Sequence, residues 1–335
     1  MAKTSWTPTL TPHPLLTNPH AMTLFPRFWP RPNLLQGIPE EERLFQVDPE
    51  SKILAECNWQ ADRKRHPALV LVHGLEGCTL SHYMLGIAHK AWHVGFNVVR
   101  MNQRNCGGTE HLTPTLYNGG LSSDVRAVVS ELAFKDGIES VWVAGYSMGG
   151  SLVLRMAGEV GDRLPALRGV AAVSPNINPA VCVETLQQKQ NWIYHLHFLI
   201  RLKARLRRKA GHYPGKYDLS LLPKIRTMSE FDNTYTAPDG GYVNAADYYE
   251  RTGARHVLDH IRVPTLIITA QDDPFIPYQT FDIAPIHSNP HIRLVAPPHG
   301  GHCGFFQRTR QTEDHYWAEN RIVEFIQNSE TCPSS

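Results

Sequence analysis

The chain has 335 residues, 42% of them hydrophobic, enough for one large or two ordinary domains around a real apolar core. Its 33 Lys and Arg against 31 Asp and Glu leave a net charge of +2, which excludes a protein that reads nucleic-acid phosphates with its whole surface. Mean hydropathy is −0.31, no apolar run approaches the roughly 20 residues that span a bilayer, and the opening segment lacks the apolar stretch of a signal peptide.

Six cysteines (Cys57, Cys78, Cys106, Cys182, Cys303, Cys332) lie far apart with no C-x-x-C pair, so reduced thiols in a cytoplasmic protein are expected rather than a disulfide framework or a zinc ribbon. Up to about Pro67 the chain is Pro-rich, with short apolar pieces at Leu44 to Val47 and Ile53 to Cys57 that read as an antiparallel pair. From there the pattern becomes regular. Apolar runs at 68–72, 96–101, 141–144 and 169–173 alternate with helical stretches after Ser81, at 121–134 and at 152–157. In the second of these, Val125, Val128, Val129 and Leu132 share one face.

Such alternation predicts right-handed β-α-β units and a mostly parallel sheet covered by helices on both faces, an α/β fold. Between Pro175 and Arg262 no strand of this kind appears, and the sheet resumes at 265–269 and 292–295 before a closing helix bearing Trp317, Ile322, Phe325 and Ile326. The chain therefore divides into an N-terminal extension (1–66), a first core part (67–175), an inserted helical cap (176–262) and a second core part (263–335).

Candidate chemistry sits at the strand ends. Gly145-Tyr146-Ser147-Met148-Gly149-Gly150 lies between an apolar strand and a helix, where a nucleophilic serine on a sharp turn needs glycines on either side. The turn puts the Met148 N–H at a helix start, suited to a developing oxyanion. Upstream, His73-Gly74-Leu75-Glu76-Gly77 follows a strand and offers the Leu75 N–H as second donor, with His73 as support for the loop.

Downstream, Asp272 and Asp273 follow another strand, and a carboxylate there can orient a histidine. The Phe-Ile-Pro run favours Asp273, with Asp272 as runner-up. The loop 298–305 then carries His299 and His302, of which the glycine-flanked His302 is the better general base. Ser, Asp, His is the chain order of the α/β-hydrolase triad. Neither His299 with His302 nor His195 with His197 has partners at metal-ligand spacing, and the chemistry requires no metal or organic cofactor.

Across nearly its whole length the chain resembles the YheT-like branch of the α/β-hydrolases. The residues that carry the likeness are Phe25-Pro-Arg-Phe28, the His73 to Gly77 loop, Arg104-Asn-Cys-Gly-Gly108, the serine turn, Glu230-Phe-Asp232 with Ala246-Asp-Tyr-Tyr249, the Asp-Asp-Pro-Phe segment and Gly300-Gly-His-Cys-Gly-Phe305. The resemblance implies Ser147 as nucleophile, Asp273 as orienting acid and His302 as base. Two positions depart from the pattern, Ser151 and Met22. Family members are similar to carboxylesterases, medium-chain phospholipases or acyltransferases to alcohols.

The expected activity is thus a serine carboxylesterase cleaving short- to medium-chain acyl esters. The alternatives are acyl transfer to an alcohol, a medium-chain phospholipase and, more remotely, a non-catalytic membrane-surface binder. One stretch stands apart. From Thr185 to Tyr217 the chain carries Lys189, Arg201, Lys203, Arg205, Arg207, Arg208, Lys209 and Lys216 and no acidic residue, a charge of +8 against a remainder near −6. Phe198, Leu199, Leu202 and Leu206 fall at helical spacing within it, so an apolar face flanked by cations is expected, a candidate contact for an anionic lipid surface.

Overall fold

The computed structural model describes residues 6, 8–309 and 312–331; Cys332 lies outside the described residues, and the other five cysteines are unpaired. Eight strands form one sheet: β1 (Glu41–Asp48), β2 (Ser51–Asn58), β3 (Ala68–Val72), β4 (Asn97–Met101), β5 (Val141–Tyr146), β6 (Leu167–Val173), β7 (Thr265–Ile268) and β8 (Ile292–Val295). Their order is β1-β2-β4-β3-β5-β6-β7-β8. The first two pairings are antiparallel and the rest parallel, as when Val70 of β3 sits opposite Val99 of β4 and Val143 of β5.

Strands β3, β4 and β5 are buried at every position because both faces of the sheet are covered, and β3 is apolar throughout. In β3, Ala68, Val70 and Val72 pack on one side with Val125 and Val128 of α3 (Ser122–Phe134) and Leu152 and Val153 of α4 (Met148–Val160). Leu69 and Leu71 pack on the other with Met84 and Ile87 of α2 (His82–His93) and with Trp317 and Ile322 of the closing helix Trp317–Thr331. Each fully buried Val or Leu contributes roughly 1.5–3 kcal/mol, so the two apolar layers supply the main driving force for the sheet.

The N-terminal segment contains a helix that the sequence pattern does not reveal, α1 (Pro19–Phe28). Asn18 caps it, its side chain accepting from the His20 and Ala21 N–H groups, and proline opens it. Only Met22 and Pro26 of its ten residues are buried, too few to print a helical period. Tertiary contacts hold it instead: the Phe306 N–H points at Met22 Sδ, and a side chain on Gly304 would collide with the Met22 carbonyl.

Between β6 and β7 the chain is helical, with α5 (Pro179–Leu186), the 21-residue α6 (Trp192–His212), several short turns and the helix Ala245–Thr252. Their apolar sides form a separate cluster with Leu75, Tyr117, Met148 and Phe275 over the carboxyl ends of the strands. Here the expectation of a cationic, solvated flank needs correction. Arg205 and Lys209 are buried. Arg205 pairs with Glu76 and donates to the Asn105 carbonyl, Arg208 pairs with Glu110, and Lys209 donates to the Glu110 and Thr113 carbonyls. Arg201 donates to the Glu76 carbonyl, Lys203 to that of Ile225, and Lys216 pairs with Asp239. Six of the eight cations are therefore engaged inside the molecule, Arg201, Arg205, Arg208 and Lys209 by tying the cap to loops of the sheet domain.

Candidate active site

Ser147 stands at the join of β5 and α4 with φ 54° and ψ −119°, a left-handed conformation that costs an L-residue roughly 1–3 kcal/mol and persists because its surroundings enforce it. Two glycines make room for the turn. A Cβ on Gly145 would strike the Gly149 carbonyl, and one on Gly149 would strike the His73 and Val72 carbonyls. The Ser147 N–H donates to Val173 O at 2.8 Å and its carbonyl accepts from the Ser151 N–H at 3.1 Å, which locks the turn between β6 and the first turn of α4.

His302 Nε2 lies 3.0 Å from Ser147 Oγ, and His302 Nδ1 lies 2.8 Å from Asp273 Oδ2. The other Asp273 oxygen accepts the Phe275 and Ile276 N–H groups, both at 3.0 Å, so the carboxylate is aimed by its own loop. With Nδ1 donating to Asp273, Nε2 is left to accept the serine proton. Burial disfavours the imidazolium, but the adjoining Asp273 carboxylate together with the neighbouring Cys303 outweighs it and raises the His302 pKa above the ordinary histidine value.

Asp272 turns the other way. Its carboxylate accepts the Gly300 and Gly301 N–H groups at 2.9 and 3.0 Å and faces His299 Nδ1 at 3.1 Å, so it pins the histidine loop from outside, and His299 points away from the serine. A second anchor comes from α1. Thr23 Oγ accepts the His302 N–H at 2.9 Å, and Gly301, at φ +56°, lies so close to Thr23 and Pro19 that a Cβ would clash. No local sequence signal ties Thr23 to a histidine 279 residues away.

The loop after β3 leaves one donor free. Gly74 N–H donates to Tyr83 Oη at 3.0 Å, Glu76 N–H to Tyr117 Oη at 3.2 Å and Gly77 N–H to Gly74 O at 3.1 Å. Among the described residues the N–H groups of Leu75 and Met148 have no partner, and both residues line the same pocket as Ser147. His73 is fully buried and structural: its Nε2 accepts the Gln103 N–H and its Nδ1 meets the Gly74 carbonyl. Burial also drives its pKa down to about 4, which keeps it neutral.

Glu76 itself is left-handed at φ 58° and buried. Its carboxylate accepts from Tyr117 Oη at 2.6 Å and Arg205 Nη2 at 2.9 Å. This places a buried ion pair between α6 and the residue beside the free Leu75 N–H. Sequence inspection misses the pair because Glu76 and Arg205 are 129 positions apart.

The pocket spans about 900 Å³ with its mouth included, a size that encloses most of a small ligand. Leu75, Met148, Val183, Leu186, Phe198 and Leu202 make an apolar lining, while Asn118, Asp232, Tyr248 and Tyr249 add polar groups. Asp232 sits in a single π-helical turn and accepts from Tyr249 Oη at 2.7 Å. Burial raises its carboxyl to about 6, against the lowering effect of the Tyr249 and Thr236 hydroxyls.

The family model described as alpha/beta hydrolase fold matches residues 67–309. YheT of Escherichia coli (strain K12), which bears an esterase name, is 32% identical over 312 residues, 92% of this chain and 90% of that protein. The chain belongs to the YheT-like α/β-hydrolases. Mouse phospholipase ABHD3 is 30% identical over 250 residues, covering 74% of this YheT-like chain and 61% of its own length, so the chain spans about six tenths of that relative. The monoacylglycerol lipase of Saccharomyces cerevisiae is 30% identical over 248 residues, 72% of this chain and 55% of that protein.

Two solved structures share the fold at lower identity. Est1E from Butyrivibrio proteoclasticus has a TM-score of 0.56 at 15% identity, covering 87% of this chain and 99% of its own. Esterase Pf2001 of Pyrococcus furiosus has a TM-score of 0.57 at 14% identity, covering 96% and 98%. The family is one of esterases and lipases, and this YheT-like chain is a carboxylic ester hydrolase of that class. Among the described residues no helix is long and apolar enough to cross a membrane.

Proposed function

We propose that the protein is a serine esterase that cleaves short- to medium-chain acyl esters through a Ser147–His302–Asp273 triad. The observation that carries this reading is the chain of contacts from Ser147 Oγ to His302 at 3.0 Å and on to Asp273 at 2.8 Å, opening on a pocket with two unpartnered N–H groups. Ser147 Oγ attacks the acyl carbonyl as His302 Nε2 takes its proton, and the oxyanion rests on the Leu75 and Met148 N–H groups. Collapse breaks the ester C–O bond, and His302 returns the proton to the departing alcohol. Water then enters, His302 removes its proton, and the hydroxide equivalent attacks the acyl-enzyme to release the acid and restore Ser147.

The apolar lining suits the acyl chain and the polar group around Asp232 suits the alcohol. That polar end also supports a second reading, transfer of the acyl group to an alcohol, consistent with the likeness to the Saccharomyces cerevisiae medium-chain fatty acid ethyl ester synthase/esterase 2 at 25% identity. The cap helix α6 borders the pocket, so a lipid-borne ester would arrive on that side, and the cap is read as the part that meets an anionic lipid surface. Ser147→Ala and His302→Ala should each lower kcat on p-nitrophenyl butyrate by roughly 10⁴-fold or more, and an unchanged rate in either overturns the mechanism. Product analysis with and without ethanol separates hydrolysis from acyl transfer.

A further inference from the structure

The cap contact with lipid does not follow from the basic residues, most of which are engaged inside the molecule; a different feature of the same helix points outward. Trp192, Ile193, Leu196 and Ile200 of α6 are between 43% and 60% exposed. At about 100° per residue they fall within an arc of about 100°, next to the arc of the buried Leu199, Leu202 and Leu206. Beside them, α1 presents Leu24 and Phe28, 44% and 73% exposed. The two helices adjoin: His20 of α1 stacks on Tyr194 of α6 with ring centroids 5.7 Å apart, and burial, Arg201 and then Arg27 of α1 disfavour the His197 cation. Single exposed apolar residues are ordinary, but six on two touching helices form a patch of the kind that marks a contact surface.

We infer that the outer faces of α1 and the first half of α6 form a docking surface for an anionic lipid aggregate, seating the pocket mouth against the lipid layer. Charge complementarity selects this occupant. Arg27, Lys189 and Arg207 are exposed and have no hydrogen-bonding or acidic partner among the described residues. Arg27 lies on α1, Lys189 just ahead of Trp192, and Arg207 continues the exposed stripe of α6, so cations fringe the apolar patch where anionic head groups would stand. Trp192 at the edge has the amphipathic ring favoured at membrane interfaces. The patch also adjoins the site: Phe198 and Leu202, on the inner side of the same helix, line the pocket, while the Tyr194 ring packs at a tilt against Phe275 at 4.8 Å and Phe275 likewise against His302 at 4.3 Å.

The inference rests on the esterase reading for what the surface delivers, but its binding step is testable without turnover. Ser147→Ala protein is sedimented with vesicles of phosphatidylcholine alone and of phosphatidylcholine with phosphatidylglycerol. Binding is expected to be stronger with the anionic lipid. On that background Trp192→Ser, Ile193→Ser and Ile200→Ser together should weaken partitioning by at least about tenfold. Arg27→Gln, Lys189→Gln and Arg207→Gln together should abolish the preference for phosphatidylglycerol and leave the weaker phosphatidylcholine binding in place.

With Ser147 restored, the apolar triple variant should keep its rate on dissolved p-nitrophenyl butyrate and lose rate on an emulsified ester. Absence of vesicle binding, or equal binding by the apolar variant and its parent, overturns the inference. So does a dimer that this variant converts to monomer, because a second copy would then be the occupant. Loss of soluble-ester turnover by the unaltered chain, with vesicle binding intact, would instead sink the esterase reading and leave the docking surface standing.

Discussion

Removing the carboxylate of Glu76 should damage catalysis without removing any group that touches the substrate. At 2.9 Å from Arg205, with an effective dielectric near 20, the pair attracts by about 6 kcal/mol before desolvation is counted. Glu76→Gln leaves the buried guanidinium with the Asn105 carbonyl but no counter-ion, so unfolding free energy should fall by about 3–5 kcal/mol. Arg205→Met should be similarly destabilising, and the double variant should recover most of the loss, because neither charge is then stranded.

The kinetic consequence separates a positioning role from a purely structural one. Loss of a whole oxyanion donor costs about 10²–10³ in kcat, and loosening the left-handed residue beside Leu75 should forfeit part of that, about 10- to 100-fold, with KM within about threefold. The double variant should regain stability but not kcat, since the clamp on the loop is still absent. Urea unfolding and p-nitrophenyl butyrate kinetics on all four proteins make the assay. A stability coupling under about 0.5 kcal/mol, or full kcat in folded Arg205→Met, would refute the reasoning.

Because the triad base must be neutral and its pKa is raised by Asp273, kcat/KM should climb with pH through an apparent pKa above the ordinary histidine value of about 6.5, and Asp273→Asn should shift that limb downward as well as lower the rate. Thr23→Val, which removes the acceptor for the His302 N–H, should lower kcat by about tenfold through misplacement of the base, with KM little changed; equal kcat would show that α1 merely covers the loop. Asp232 is protonated more readily in the fold than in the unfolded chain. The folded state therefore holds the extra proton between about pH 4 and 6, and this term should erode stability by about 3 kcal/mol as pH rises across that window. Urea midpoints of Asp232→Asn should lack this slope.

The central strands are readable in the sequence because parallel strands covered on both faces are continuous apolar runs, as in Ala68 to Val72. Ser147, the two aspartates and the two histidines are readable as candidates because each follows such a run and is flanked by glycine or proline. The choice between neighbours rests in sequence on flanking residues alone, the Phe-Ile-Pro run that favours Asp273: Asp272 and Asp273 differ by one step along the loop, and the backbone path turns one toward Gly300 and Gly301 and the other toward His302. Long-range ion pairs are hidden for a similar reason. The cap shows its charge in sequence, but the partners Glu76 and Glu110 lie on other loops, so buried Arg205 looks the same as exposed Arg207. Helix α1 is silent because it is held by the loop it supports rather than by an apolar stripe of its own.

The central claim is that Ser147 becomes covalently acylated. Incubation with a fluorophosphonate, followed by proteolysis and mass spectrometry, reads this directly. The account predicts one adduct, on the peptide containing Ser147, lost in Ser147→Ala and strongly slowed in His302→Ala. Labelling at another residue, or none in a protein that still hydrolyses p-nitrophenyl butyrate, would contradict it.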